Sequence, residues 1–358
     1  MQKQSELRGC VDVVKNNTIS GWCYTSGEPS PTIVKLYIDD IVIRSRRADN
    51  DRADIEKQSG SLTTGFNFFI NPKLLNHLPS AGTVRVVAGP DEKELPFAKG
   101  VTPVVNGGSP DGGNTLRKML SDKWHIDHWG QLQISFAKEP GKKERYLDFY
   151  CEVSAICRSI SGIDLYLTGG NLLGIIREFD FIPHDDDIDA SFCVRANSVA
   201  DAAEQFFAHF DKLVPRLLAL GYTVSIVNVC QFHVFRGGAG LDIFMGWIDD
   251  SGQWYRYTGA GGNLGTKQFR TRKIDFLGRP VLIPQYAERE LDLTYGENWK
   301  NPDPHFFWRT PTDVKIVMND LQNVALERVA QRKAELTDPS ALIARLLPGG
   351  PDNFVKSE

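Results

Sequence analysis

Four aspartates crowded into five positions are the residues of this sequence best suited to chemistry. Asp185, Asp186, Asp187 and Asp189 lie in the segment FIPHDDDIDASF, residues 181–192, among apolar side chains. Two bare carboxylates about 4 Å apart repel each other by roughly 1 kcal/mol in water and by roughly 4 kcal/mol near a protein surface. A folded chain that keeps them together is expected to offer them a positive partner, and a metal ion is the first candidate.

A calcium loop is one interpretation of these aspartates. Asp185, Asp187 and Asp189 match the first three ligand positions of an EF-hand loop. That loop also needs glycine at its sixth position and glutamate at its twelfth, where this chain has Ala190 and Ala196. The spacing therefore argues against calcium.

A solvated acidic turn and a magnesium or manganese site are the other two interpretations. Ile188 stands between two aspartates, which indicates a half-buried strand rather than a solvated turn. Mg²⁺ and Mn²⁺ are commonly held by one or two carboxylates and complete their coordination with water and phosphate oxygens. We therefore favour a Mg²⁺ (or Mn²⁺) site for phosphate chemistry, while the solvated turn stays open.

Strand geometry selects the carboxylates that would hold the ion. Side chains two positions apart on a strand share a face, so Asp187 and Asp189 should point together, with Asp185 just before them on the same side. Downstream, Asp242 alternates with apolar residues in the segment LDIFMGW and should also lie on a strand. It is a candidate third carboxylate of the same cluster.

A glycine pair precedes the acidic segment. The stretch GGNLLG predicts a helix that begins at Gly169 and Gly170, where unpaired backbone N–H groups and the positive end of the helix dipole can bind phosphate. The stretch is not a Walker loop, because Ile175 stands where lysine is required, and it is not a GxGxxG fingerprint. Its value as a signal comes from its place just before the aspartates.

The elements that must position these residues fall into two regions. Short β-rich runs separated by turn residues predict a small all-β sandwich domain over residues 1–99. A stretch rich in glycine and proline predicts a flexible linker over residues 100–115. The pattern then changes to α/β, which predicts a catalytic domain over residues 116–345 and a loose tail over residues 346–358.

Helices and strands are predicted to alternate in the second region. Apolar residues at spacings of three and four predict a helix over residues 142–160, with Gly162 as its stop. A strand is predicted at residues 163–168, just before the glycine pair. The further predictions are a strand at DIDASFC, a helix over residues 197–220, consecutive strands at YTVSIVNV, CQFHVFRG and GLDIFMGW, and a helix from Thr312.

Composition limits the class of protein. The chain has 358 residues, of which 41% are hydrophobic, so it can build two globular cores. Its net charge of −4 gives no broad basic footprint for nucleic acid, and its six cysteines, none in a CxxC pair, should be free thiols. No signal-peptide pattern and no apolar run of about 18 residues is seen, which predicts a cytoplasmic protein without a membrane span.

One longer string resembles a known family signature. YLTGGNLLGIIREFDFIPHDDDIDASF is similar to that of the LicD family, which includes bacterial phosphocholine transferases and animal fukutin-type proteins. The later segments LDIFMGW, FLGRPVLIP and LDLTYGENWKNP follow in the family's order, so the resemblance covers roughly residues 142–302. It implies an α+β fold, a nucleotidyltransferase-like mixed sheet with helices of the DNA polymerase beta type, after the all-β sandwich domain.

The resemblance implies an enzyme that transfers substituted phosphate groups. LicD-like proteins move phosphocholine or an alditol or glycerol phosphate from a CDP-activated donor to a hydroxyl of a surface glycan, as in capsule or lipopolysaccharide biosynthesis. A CDP-linked donor and a glycan acceptor are therefore the implied partners. Peripheral association with glycan-assembly machinery is left open, and no nucleic acid partner is expected.

The family's roles carry over to individual residues of this sequence. Asp187 and Asp189 would bind the metal, with Asp242 as third ligand or as base for the acceptor hydroxyl, and Asp185 is a further candidate ligand. The donor phosphates would contact the glycine pair. Arg177 would reach the same phosphates or, equally, pair at the surface near its neighbour in sequence.

Departures from the family pattern and other functions stay open. The family string often has tryptophan at the position of His184, and threonine or serine at that of Asn171, which would alter donor contacts. One alternative function is a catalytically degenerate glycan-binding or scaffold protein, whose Trp22, Tyr24 and Tyr37 would stack on sugars unless they are core residues. Another is a nucleotidyltransferase acting on a protein or a small molecule.

Overall fold

The computed structural model describes residues 6–15, 17–28, 31–127, 130–228, 230–257, 259–306 and 309–335. The chain divides into two compact units, Met1–Glu139 with Asp303–Phe307, and Pro140–Pro302 with Trp308–Glu358. The predicted tail and the predicted domain end at residue 345 lie outside the described residues.

The first unit is built mainly from two antiparallel sheets. One sheet has the strand order β1-β2-β6-β5, and the other has the order β4-β3-β7-β8 with β9 also paired to β7. The strands are β1 (Leu7–Lys15), β2 (Thr18–Thr25), β3 (Ile33–Ile38), β4 (Ile41–Arg47), β5 (Asn50–Asp51), β6 (Thr63–Phe69), β7 (Ala81–Ala88), β8 (Lys93–Glu94) and β9 (Val104–Asn106). Because alternate side chains of a strand share a face, Ile19 and Phe68 of the first sheet meet Leu36 and Val86 of the second in one core.

Helices and a small hairpin complete the first unit. They are α1 (Ala53–Ser59), α2 (Pro72–Leu75), α3 (Gly112–Asp122), β10 (Trp124–Ile126) and β11 (Leu132–Ile134). The unit is therefore mostly β rather than all-β, and it extends to residue 139, well past the predicted end at residue 99.

The stretch predicted as a linker belongs to this first unit. Strand β9 pairs with β7 inside it, and helix α3 begins at Gly112. A Cβ atom on Gly108 or Gly112 would lie only 1.6 or 2.0 Å from the carbonyl oxygen of Leu78. These glycines permit close packing of backbone on backbone, so residues 100–115 do not form the flexible linker that their composition predicts.

Two of the three aromatic residues proposed for sugar stacking are core residues. Tyr24 and Tyr37 are 8% and 9% exposed. Trp22 is half-buried and its ring stacks on Tyr24 with centroids 5.9 Å apart. The core interpretation therefore holds for both tyrosines.

The second unit is a mixed α+β structure around a sheet of order β12-β13-β16-β15-β14, which β17 and β18 extend. Strands β13 and β16 are parallel, whereas the other pairs in this sheet are antiparallel. The sheet strands are β12 (Tyr166–Leu167), β13 (Asp189–Arg195), β14 (Thr223–Asn228), β15 (Gln231–Arg236), β16 (Ala239–Ile248), β17 (Gln253–Arg256) and β18 (Ala260–Asn263). The other elements are β19 (Thr271–Phe276) and β20 (Arg279–Pro284), which form a hairpin, and α4 (Lys142–Ser161), α5 (Gly169–Arg177), α6 (Val199–Ala219), α7 (Ala287–Tyr295) and α8 (Thr312–Glu335).

Helix α6 packs on this sheet through phenylalanines. Phe206 stacks on Phe192 of β13 with ring centroids 6.2 Å apart, and Phe210 meets Phe232 of β15 edge to face at 5.9 Å. All of these side chains are at most 9% exposed. This close-packed apolar layer covers part of one face of the sheet.

Helix predictions in the second unit agree with the structure better than strand predictions. Helix α4 covers the predicted residues 142–160, and Gly162 ends it with a left-handed φ of 69°. The strand predicted at residues 163–168 is only two residues long, and the strand predicted from Asp187 begins at Asp189.

Two other expectations can be compared with the described residues. None of the six cysteines, all of which the structure describes, forms a disulfide, in agreement with the prediction of thiols. Among the described helices, none has both the length and the apolar character needed to cross a membrane.

Candidate active site

Three carboxylates converge at one end of the parallel strand pair. One oxygen from each of Asp187, Asp189 and Asp242 lies within 4.8 Å of the others. Asp189 and Asp242 are directly paired in the register of β13 and β16, which places both side chains on one face of the sheet. Asp187 lies in a bend two residues before β13, so it joins the cluster from a loop and not from the predicted strand.

Asn171 fixes the backbone that carries two of these carboxylates. It lies in the first turn of α5 and is 1% exposed. Its side-chain Oδ1 accepts a hydrogen bond from the backbone N–H of Asp189 at 2.5 Å, and its Nδ2 donates to the backbone carbonyl of Asp187 at 3.1 Å. Both the oxygen and the nitrogen of the Asn171 amide therefore hold the backbone of the acidic loop. His184, the other position that departs from the family pattern, is exposed.

The glycine pair makes room for carboxylates at the start of α5. A Cβ atom on Gly169, whose φ is +58°, would lie 3.0 Å from Oδ2 of Asp189, and one on Gly170 would lie 2.8 Å from Oδ2 of Asp185. Negative side chains are favourable there because the unpaired N–H groups carry partial positive charge. The close approach of these carboxylates therefore explains why glycine occupies both positions. Contact of the two glycines with donor phosphate stays a prediction.

Replacing Gly169 by alanine should weaken metal binding at the candidate site more than it destabilises the fold. A left-handed conformation costs a non-glycine residue about 1–2 kcal/mol, and the new methyl group would also push on Asp189. Gly162→Ala is the matched control, because Gly162 also has a positive φ of 69° but no atom within 4 Å of its Cβ position. We expect both variants to lose similar stability in chemical denaturation, and only Gly169→Ala to bind Mn²⁺ at least about tenfold more weakly. Equal Mn²⁺ affinity in the two would contradict this.

The carboxyl groups of Asp185, Asp189 and Asp242 have raised pKa values, which indicates that nearby positive charge does not balance them. Burial, and then the charges of Asp187 and Asp186, raise the pKa of both Asp185 and Asp242 to about 8. Burial, with Asp187 and Asp242, raises the pKa of Asp189 well above its usual range. Oδ2 of Asp185 is also buried and has no hydrogen-bond partner among the described residues.

A divalent cation fits these observations. Oxygens bound to one Mg²⁺ at about 2.1 Å lie at most about 4.2 Å apart, so the three carboxylates need only a small movement to share an ion. Carboxylate oxygens are the ligands that Mg²⁺ and Mn²⁺ prefer. Asp187, Asp189 and Asp242 are the residues that would hold it, and the oxygen Oδ2 of Asp185 lies beside Gly170 at the start of α5.

His233 is a site residue that the sequence did not single out. It is paired with Asp242 in the antiparallel register of β15 and β16, and its Nε2 lies 3.1 Å from Oδ2 of Asp242. Burial lowers the pKa of His233 to about 4, so the imidazole is neutral at neutral pH. The signal in the sequence that could have indicated His233 is its position as a polar residue between Phe232 and Val234 in a predicted strand.

Arg177 has partners within the protein. Its Nε donates to Oε1 of Glu178 at 2.6 Å, and its Nη1 donates to the backbone carbonyl of Trp299 at 3.2 Å. Its charge acts on Asp185 by lowering the pKa of that carboxyl, against burial and the neighbouring aspartates that raise it. These contacts agree with the interpretation in which Arg177 pairs within the protein. Its contact with donor phosphate stays a prediction.

Asp187 in the acidic loop, Asp189 at the start of β13, Asp242 on the adjacent strand and a helix that begins with two glycines lie in one segment of the chain. Residues 162–256 match the family model described as LicD/FKTN/FKRP, nucleotidyltransferase domain. That segment contains α5 and all three converging aspartates. The resemblance to the LicD family predicted from the sequence is confirmed by this match.

Solved structures and curated proteins add little. Two structures of the antibiotic-resistance factor ANT(2″)-Ia are each 17% identical to this chain. The match to the solution structure covers 57% of this chain and 94% of that one, with a TM-score of 0.29. The match to the complex with adenylyl-2″-tobramycin covers 53% of this chain and 98% of that one, with a TM-score of 0.26. A STING-associated CdnE c-di-GMP synthase from Capnocytophaga granulosa is 11% identical over 61% and 77%, with a TM-score of 0.27. These TM-scores are too low to carry an argument. No curated protein matches the chain significantly.

Proposed function

We propose that this protein is a LicD-like phosphotransferase that depends on Mg²⁺ or Mn²⁺. It transfers phosphocholine, or an alditol or glycerol phosphate, from a CDP-activated donor to a hydroxyl of a surface glycan. The acceptor oxygen loses its proton and bonds to phosphorus, while the P–O bond of the donor's diphosphate breaks and CMP leaves. The observation that carries the proposal is the convergence of Asp187, Asp189 and Asp242 within a segment that matches the LicD family model.

The residues of the site suit phosphoryl transfer, which depends on positioning and on neutralising charge more than on covalent chemistry. A bound divalent ion would offset the negative charge of the donor phosphate oxygens. Asn171 holds the backbone of Asp187 and Asp189 in place, and His233 contacts the carboxylate of Asp242. In the alternative role of Asp242, that carboxylate takes the proton of the acceptor hydroxyl.

A catalytically degenerate scaffold is a poorer explanation of the same geometry. Carboxyl groups held this close reduce stability unless a cation is bound, because they must either repel one another as carboxylates or bind protons at neutral pH. A protein that only bound glycan would become more stable by losing one of the carboxylates. The presence of all three therefore supports the enzyme.

Thermal stability with candidate donors tests the proposal without knowledge of the acceptor. We expect one CDP-alcohol among CDP-choline, CDP-glycerol and CDP-ribitol to raise the melting temperature with Mg²⁺ or Mn²⁺, and not with chelator. A ligand at a hundred times its dissociation constant adds about 2.7 kcal/mol of stability. The rise should be absent in Asp187→Asn.

Asp186→Asn is the matched control for this experiment, because Asp186 lies in the same loop but outside the three converging carboxylates. It should keep the rise in melting temperature. If no CDP-alcohol stabilises the folded protein in the presence of metal, the proposed donor class is wrong. A metal-dependent rise with nucleoside triphosphates alone would instead support a nucleotidyltransferase.

A further inference from the structure

Three polar residues form a buried group beside the candidate active site. Arg256 lies at the end of β17, Glu290 lies in α7, and Thr168 directly precedes α5. They are 3%, 1% and 1% exposed. Oγ1 of Thr168 donates to Oε1 of Glu290 at 2.6 Å, while Nη1 of Arg256 contacts Oγ1 of Thr168 and lies 3.5 Å from Oε1 of Glu290.

This buried group is a poor device for stability alone. Removing two opposite charges from water is unfavourable for each ion, and well-packed apolar residues often stabilise the fold as well or better. Nε of Arg256 and Oε2 of Glu290 are buried without a hydrogen-bond partner among the described residues. A polar group kept at this cost requires another reason.

The metal-binding backbone supplies that reason. The backbone N–H of Thr168 donates to the backbone carbonyl of Asp189 at 3.1 Å, so one residue joins the buried group to a candidate ligand. The next residue, Gly169, is the one whose Cβ would touch the carboxylate of Asp189. A rotation of Thr168 would therefore move both the ligand and the start of α5.

We propose that Thr168 is a positioning residue of the transferase, held by Arg256 and Glu290 so that its backbone fixes Asp189 for metal binding. This inference rests on the proposed function. Thr168 acts through Asp189 and contacts neither metal nor substrate itself. Residues of this kind typically change metal affinity by about 10-fold to 100-fold when they are replaced.

Mn²⁺ titration of the intact protein, followed by the electron paramagnetic resonance signal of the free ion, tests this proposal. Thr168→Val keeps the shape of the side chain and removes the hydroxyl, whereas Thr168→Ser keeps the hydroxyl and removes a methyl group. We expect Thr168→Val to bind Mn²⁺ about tenfold more weakly than the native protein, and Thr168→Ser to bind as the native protein does. All titrations are run well below the melting temperature of each variant, so that a loss of stability alone does not change the affinity.

The outcomes separate this proposal from the function on which it rests. Equal Mn²⁺ affinity of Thr168→Val and the native protein would overturn the positioning role and leave the proposed function intact. Equal weakening in Val and Ser would also overturn it, because packing and not the hydroxyl would then be responsible. A native protein that binds no Mn²⁺ would overturn both. If Thr168→Val does not fold, Glu290→Gln, which removes the buried negative charge, should show the same weakening, and native affinity there would overturn the role.

Discussion

Asp189→Asn should abolish transfer while making the metal-free protein more stable. The change removes one of three carboxylates that would hold the ion, and a loss of metal-assisted catalysis is expected to lower the rate about a thousandfold or more. It also removes a carboxyl group whose pKa is raised well above its usual range by burial, Asp187 and Asp242, and which the metal-free folded protein must therefore keep protonated at neutral pH. Because asparagine does not have to bind a proton on folding, the change should add at least about 1 kcal/mol to the free energy of unfolding at neutral pH in chelator.

Two measurements on the same variants check this opposition between activity and stability. Transfer from the identified donor gives the rate, and urea denaturation with chelator gives the free energy of unfolding. Asp186→Asn is the control, because Asp186 raises the pKa of Asp185 and Asp242 but is not one of the three converging carboxylates. It should also gain stability, yet keep its rate within about threefold. Native activity in Asp189→Asn would remove the metal site from the mechanism.

Without metal, the protein should lose stability as the pH rises from 6.5 to 8.5. Asp185 and Asp242 have a pKa of about 8 in the folded protein, against about 3.9 in an unfolded chain. Between those values the folded protein keeps protons that the unfolded chain has released, so their stabilisation is full below pH 4 and is lost as the pH passes 8. Each carboxyl contributes a slope of at most about 1.4 kcal/mol per pH unit.

Below pH 6.5 the titration of His233 has an opposing effect. The pKa of His233 is lowered to about 4 by burial, so between pH 4 and about 6.5 the unfolded chain binds a proton that the folded protein does not. This makes stability rise with pH and offsets one carboxyl there. The fall should therefore be clearest above pH 6.5.

Urea denaturation at pH 6.5 and 8.5, with chelator or with Mg²⁺, measures this pH dependence. Saturating Mg²⁺ should abolish the fall, because the ion binds the deprotonated carboxylates and its affinity grows with pH. Asp242→Asn should reduce the slope in chelator by up to half. A slope that neither Mg²⁺ nor this substitution changes would place its origin outside the cluster.

Local patterns predicted those elements whose sequence signal is local. The apolar stripe of α4 and its glycine stop fix both ends of a long helix. The acidic segment shows the limit of such signals: its alternation predicts a strand from Asp187, but the amide of Asn171 binds the backbone of Asp187 and Asp189 there. The carboxylates still meet, since a loop pinned at both ends can present them as well as a strand can.

Residues whose roles depend on distant partners were not predicted. His233 meets Asp242 only because β15 and β16 pair in one particular register. Thr168 lies 88 residues from Arg256 and 122 from Glu290 along the chain, and nothing in the local pattern marks these three as a group. A single sequence indicates which residue types can do chemistry, whereas their supporting partners are set by tertiary packing.

The register of β13 and β16 also has a consequence for the order of folding. Residues 168–189 form a short closed segment, tied by Thr168 and Asn171 to the acidic loop, and contacts this local can form early. Asp242 joins only when β16 pairs in parallel with β13, and helix α6 lies between these two strands in the sequence. Pairing over such a long stretch of chain is a slow step. During synthesis, a chain that has emerged only as far as residue 241 would hold two ligands without the third. Metal capture should therefore report the pairing of β16 with β13 and not the earlier closure of residues 168–189.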